Sequence, residues 1–142
     1  MNRQLLRTDS VNATKPSLDN YDKNRVMRVA TEAYTQAVTA WKLTDSEAEK
    51  MLAVDHRDWM HIKNGKWKGS LNEEQLMRIG AVIAIHDALH SCFGEEMANR
   101  WATAPNRLPM FHGRKPVDAM IEEGIPMMKK AQRLTSELLC GM

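Results

Sequence analysis

From Asp22 onward the apolar residues recur at helical spacing, and no stretch shows the period of two that a half-buried strand requires. Val26, Ala30, Ala33, Ala37 and Trp41 repeat at three- and four-residue intervals, with Tyr34 and Val38 beside them. That pattern predicts a helix with one buried stripe. Thr44-Asp45-Ser46-Glu47 fits a capping box, in which the Thr44 hydroxyl caps the helix and Glu47 reaches back to the first amide. The short helix it opens runs to about Leu52. Ala53-Val54 makes a turn, Asp55 caps a third helix to about Asn64, and Gly65 ends that helix in a left-handed backbone.

A small basic loop, residues 65–70, comes next. Asn72, with Gln75 at the capping-box position, then opens the longest helix. Its apolar residues fall on two faces: Leu76, Ile79 and Ile83 on one, Val82, Ile85, Leu89 and Phe93 on the other. A helix apolar on both faces belongs at the centre of a core. Gly94 ends it, and Glu95 to Ala102 forms a short helix. Pro105 and Pro109 forbid regular helix. Pro116 suits the first turn of a helix that Gly124 stops, and Pro126 starts the last helix, with Met127, Ala131, Leu134 and Leu138 on one stripe and Gly141 after it. The fold class is all-α. Residues 1–20 are polar, include Pro16, and read as a flexible tail.

The chain has 142 residues, 43% of them apolar, enough for one compact core or two small subdomains that share one. The net charge of +2 does not announce nucleic-acid binding. Residues 1–70 hold 12 Lys/Arg against 9 Asp/Glu and residues 71–142 hold 8 against 9, so the first half is mildly basic. Cys92 and Cys140 have no metal-site spacing and read as free thiols in a reducing cytosol. The start has no apolar core of a signal peptide, and the longest apolar run, Ile79 to Ile85, is too short to span a membrane. The expectation is a cytoplasmic protein with no membrane partner.

Residues 45–64 match a helix-turn-helix register, with Ala48, Leu52, Val54, Trp59 and Ile62 at the positions where the two helices meet each other and the helix before them. Two positions depart from it. Ala53 sits where glycine is common, at a cost of about 1 kcal/mol for a left-handed backbone. Glu49 sits where a small residue usually allows close crossing, which predicts a wider one. The third helix is then the reading helix, presenting His56, Arg57, Met60, His61 and Lys63, with Lys66 and Lys68 placed to meet phosphates. Residues 21–69 form this subdomain. The competing reading is a solvated helix in an ordinary bundle.

Enzyme signals are weak. His86 and His90 share a helix face, but no Glu follows His86, and a third metal ligand would have to come from Asp87, Cys92 or His112. No glycine-rich phosphate loop and no activated nucleophile is visible. The expectation is a non-enzyme with no cofactor and no metal.

Trp101, Pro105-Asn106, Phe111-His112-Gly113, Pro116, Met120 and Gly124 form an uncommon string, preceded by Ala88-Leu89-His90 leading into Phe93. Arg57-Asp58-Trp59 and Lys63-x-Gly65 lie upstream. In this order they resemble the Xre/MbcA/ParS-type antitoxins of type II toxin–antitoxin pairs. The resemblance runs from about Thr44 to Leu139 and is strongest over Leu71–Gly124. It implies an Xre-like helix-turn-helix followed by a toxin-binding domain, residues 70–142, that covers the NAD pocket of a RES-domain toxin. The contact candidates it implies are Arg107, Phe111, His112, Arg114 and Lys115 in the loop, and the tail with Lys129, Lys130, Arg133, Leu138, Leu139 and Met142. Arg107-Leu108-Pro109-Met110 makes the loop a little longer than the shortest family versions. Trp101 and Phe111 also read as core fillers, and Gly113 as a backbone requirement. The partners implied are the cognate toxin, operator DNA and a second copy in a homodimer. The alternative is a stand-alone helix-turn-helix transcription regulator without a toxin partner.

Overall fold

A computed structural model of the chain describes residues 22–139. Among these residues there are seven α-helices and no strand. They are α1 (residues 22–40), α2 (Asp45–Leu52), α3 (His56–Lys63), α4 (Glu73–Cys92), α5 (Glu95–Arg100), α6 (Pro116–Glu123) and α7 (Ile125–Arg133). A 3-10 turn, Trp101–Thr103, follows α5, and a π-helical turn, Leu134–Leu139, extends α7. The expected tail, residues 1–20, lies outside the described residues, as do Cys140, Gly141 and Met142.

Local chemistry starts the helices where the sequence places their caps. Thr44 and Glu47 exchange both capping-box bonds, at 3.1 and 2.9 Å, and Asn72 and Gln75 do the same at 2.7 and 2.9 Å. The Asp55 carboxylate accepts from the Asp58 amide at 2.7 Å. Pro116 stands in the first turn of α6.

The first three helices share one way of stopping. In each, a residue with positive φ follows the last turn, and two backbone N–H groups fold back onto free carbonyls. Lys42 (φ 58°) lets Leu43 N–H reach Val38 O, Ala53 (φ 66°) lets Val54 N–H reach Glu49 O, and Gly65 (φ 73°) lets Lys66 N–H reach His61 O. Only the third position is glycine.

α4 is the central element. It buries Ile79, Ala81, Val82, Ile85 and Leu89, and it packs against α2, α5, α7 and the π-helical turn. α6 packs on both α2 and α7. Residues 22–69 and 70–139 therefore contribute to one continuous core, in which Trp41, Tyr34, Phe111, Met51 and Met120 are fully buried. The Tyr34 hydroxyl donates to Ala48 O at 2.6 Å, and its ring meets Trp59 edge-on at 5.9 Å, so α1 locks α2 and α3 together. Burial pushes the Tyr34 phenol well above its ordinary range, so it stays a neutral donor.

Three expectations are corrected. The stripe on α1 is buried only from Tyr34 onward. Val26 is 56% exposed and Ala30 and Ala33 are half-buried; in these first turns it is Met27 and Ala30 that pack against the core. The helix after Gly94 ends at Arg100, and the chain tightens to 3-10 geometry through Trp101. Cys92 is disulfide-bonded and is no free thiol; the other cysteine, Cys140, lies outside the described residues. Sequence spacing carries no information on which sulfurs meet in space, so the inference from cysteine usage to a reducing compartment falls away. No helix among the described residues is long and apolar enough to cross a membrane.

The positive φ at Ala53 gives a direct test. Ala53→Gly removes the left-handed penalty of about 1 kcal/mol and adds a slightly smaller unfolded-state entropy cost. Urea unfolding is expected to show a stability gain of up to about 0.5 kcal/mol, where an exposed helix-interior Ala→Gly loses about 1 kcal/mol.

Candidate functional site

Two surfaces collect the residues that the sequence singles out. The first is the outer face of the α2–α3 pair. Trp59 anchors α3 inward: its Nε1–H donates to the Asp45 carboxylate at 3.0 Å, and the same oxygen accepts from Lys63 Nζ at 3.0 Å. These two bonds, Trp59 first, hold the Asp45 carboxyl below its usual range. His56, Arg57, His61, Lys63, Lys66 and Lys68 are all exposed, whereas Met60 is half-buried and packs against the core. Glu49 does not leave the helices unconnected at its position. Its carboxylate meets His56 Nδ1 at 2.9 Å and bridges α2 to the first turn of α3. Lys63 and His56 thus each have a carboxylate partner, while among the described residues no ion pair holds Arg57, Lys66 or Lys68.

The basic loop is more ordered than its composition implies. Trp67 is half-buried, and a Cβ on Gly69 would come within 2.5 Å of its indole, so the ring lies directly on the Gly69 backbone. Together with Arg28, Thr31 and Lys68, the loop borders a cavity of about 370 Å³ beside α1.

The second surface is the loop between the 3-10 turn and α6. Phe111 is fully buried and meets Trp101 edge-on at 5.8 Å. Its side chain belongs to the core and not to the surface. Arg114 is the loop's staple: its Nε donates to Phe111 O at 2.8 Å, one Nη to Met110 O at 3.2 Å, and the guanidinium also binds Glu122 at 3.1 Å and Glu123 at 2.6 Å. These carboxylates, Glu123 first, raise the Arg114 pKa further. Two consecutive left-handed residues, His112 (φ 53°) and Gly113 (φ 78°), turn the backbone between Phe111 and Arg114. Asn106 N–H then closes the loop on Arg114 O at 3.0 Å. What remains outside is Arg107, His112 and Lys115, all exposed.

α6 separates this loop from α7, where Lys129, Lys130 and Arg133 are exposed. The side chains of Leu138 and Leu139, and all of Met142, lie outside the described residues.

Sequence reasoning missed a cleft beside this loop. Phe93, Met97, Trp101 and Pro105 line about 210 Å³ of mainly apolar space, with Arg100 at its rim. Met97 is 55% exposed although it lines the cleft, and Leu108, 41% exposed, follows its last lining residues in the sequence. The spacing of Phe93, Met97 and Trp101 by four residues was the available signal.

His86 and His90 lie 4.2 Å apart between ring centroids, and His90 Nδ1–H donates to His86 O at 2.9 Å. Partial burial, and then the neighbouring His90, push the His86 pKa down. Among the described residues no group of three or more His, Cys, Asp or Glu is placed to hold a metal.

Two measurements check these local assignments. Hydrogen bonding to Glu49 raises the His56 pKa above its ordinary value. A raised folded-state value means that the pair's stabilisation is fully present below pH 6.5, the ordinary histidine value, and is lost as pH rises through the folded-state value. An NMR titration should place His56 above 6.5, and Glu49→Gln should bring it down; an unchanged titration would show that the bridge does not form in solution. For the loop, Arg114→Gln should accelerate amide exchange at Asn106 and Arg114 while leaving Ile79–Leu89 protected. Equal protection in both proteins would show that the guanidinium is not what holds the loop.

No family model matches the chain, no curated protein is significantly similar to it, and no solved structure matches it.

Proposed function

We propose that this protein is the antitoxin of a type II toxin–antitoxin pair, acting in the cytoplasm as a non-catalytic inhibitor. In this reading the surface formed by the loop before α6 and by α7 binds a RES-type, NAD-degrading toxin and fills its active site. Occlusion needs no catalytic group on the inhibitor, only a rigid surface of matching shape and charge. The observation that carries the reading is the ordered string from Trp101 to Gly124, which folds as one stapled loop-and-helix unit presenting Arg107, His112 and Lys115 outward. A pre-organised cationic surface suits a pocket built for an anionic dinucleotide.

The α2–α3 pair is read as a helix-turn-helix by which the protein represses its own operon. The exposed Arg57, His61, Lys66 and Lys68 supply phosphate or base contacts, and a homodimer matches a two-fold operator. The same exposed cations favour the second reading, a stand-alone transcription regulator with no toxin partner.

The test is purification of the tagged chain from its native host, with the bound protein identified by mass. The expected result is a stoichiometric partner that is toxic when expressed alone and harmless alongside this chain. Arg107→Glu with Lys115→Glu should weaken that protection. Recovery with promoter DNA and no protein partner would overturn the antitoxin reading in favour of the regulator.

A further inference from the structure

The first three turns of α1 pack Met27 and Ala30 against the core but leave a second set of apolar side chains outside. Val26 is 56% and Val29 54% exposed, and both belong to the small set of large apolar side chains so exposed among the described residues. At 100° per residue, Val26, Val29 and Ala33 form a stripe beside the one that buries Tyr34, Ala37 and Trp41. Beneath this segment lies a groove of about 620 Å³, whose apolar lining is Val26, Met27, Leu71 and Leu76. Val26 thus heads the stripe and also borders the groove. The cavity lined by Trp67 flanks the opposite side, leaving Met27 as a shared wall. A segment held on one side only, by Met27 and Ala30, leaves this apolar stripe open to a cover.

The charges beside the stripe identify the cover. Arg25 and Glu32 lie along the same outer edge of α1, next to Val29. No ion pair holds either of them among the described residues. Their midpoint in the sequence falls beside Val29. Two copies of α1 laid antiparallel about a two-fold axis at Val29 therefore bring Arg25 of each copy opposite Glu32 of the other, with the valines between them. A parallel pairing would instead set Arg25 against Arg25. The apolar stripe, the open groove and the antisymmetric charge pair all point to the same self-complementary contact.

We infer that the exposed N-terminal half of α1 is a homodimer surface, formed by antiparallel packing of Val26, Val29 and Ala33 with reciprocal Arg25–Glu32 ion pairs. This rests on the two-fold pairing proposed above and names the face that makes it. The surface is independent of the Arg107–Lys115 loop, so dimerisation and partner binding are separable.

Analytical ultracentrifugation of the full chain over a concentration series tests it. The wild type should approach twice the 16.2 kDa chain mass. Val26→Glu with Val29→Glu, at positions more than half exposed, should give monomer at every concentration with unchanged helix content by circular dichroism. Arg25→Glu alone should weaken the dimer by tenfold or more, and Arg25→Glu with Glu32→Arg should restore it. A wild type that is monomeric throughout would overturn both this surface and the two-fold reading. A dimer that survives both valine substitutions would overturn this surface and leave the two-fold reading standing. Failure of the charge swap to restore association would overturn the antiparallel register.

Discussion

The structure depends on how α4 holds the end of α2. A helix leaves its last carbonyls without partners, and those of α2 point toward the start of α4. Arg78 Nη1 donates to Met51 O at 3.1 Å and Gln75 Nε2 to Ala53 O at 2.9 Å. Arg78 also binds Glu74 at 3.2 Å, and its side chain is only 13% exposed. A cation at a helix C-terminus is favourable on charge grounds, and more so when shielded from water. These bonds fix the α2–α3 turn against the central helix. Gly124 passes the same guanidinium, where an added Cβ would lie 3.5 Å from Arg78 Nη2, so the α6–α7 junction is seated on it as well.

From this grip follows the coupling of the two candidate surfaces. α2 packs on α6, and α6 carries Glu122 and Glu123, which hold Arg114 and with it the loop. A rigid path therefore runs from the outer face of α3, through Trp59, α2 and α6, to Arg107 and Lys115. In the proposed function this places operator contacts and partner contacts on one body, with no linker between them to relax. The N-terminal half of α1 is the exception. The fully buried residues of α1 begin only at Tyr34, and the exposed Val26 and Val29 form the face inferred above to meet another copy.

Much of this fold is legible in the sequence because its signals are local. The boxes at Thr44 and Asn72, the Asp55 cap, Pro116, and the glycines at 65, 113 and 124 act over a few residues, and each acts where its pattern places it. The left-handed turn at Ala53 is legible from register even without glycine. What is not legible depends on distant partners. The bonds from Gln75 and Arg78 to α2 span 22 and 27 residues. The exposure of Val26 depends on which side of α1 meets the core, and the pairing of Cys92 on where a second sulfur lies. The candidate surfaces show the same division: the resemblance offered Arg114 and Phe111 as contacts, Phe111 was legible as a core filler, and only the folded loop shows that the Arg114 guanidinium is spent on Phe111 O, Met110 O, Glu122 and Glu123.

Inhibition by occlusion, as proposed, is decided by titrating a RES-type partner's NAD turnover with this chain. Under the proposed function, the toxin that co-purifies with this chain should lose all NAD turnover at one binding site's worth of added protein, with no NAD consumed by the chain itself. Undiminished turnover at saturating chain would contradict the account.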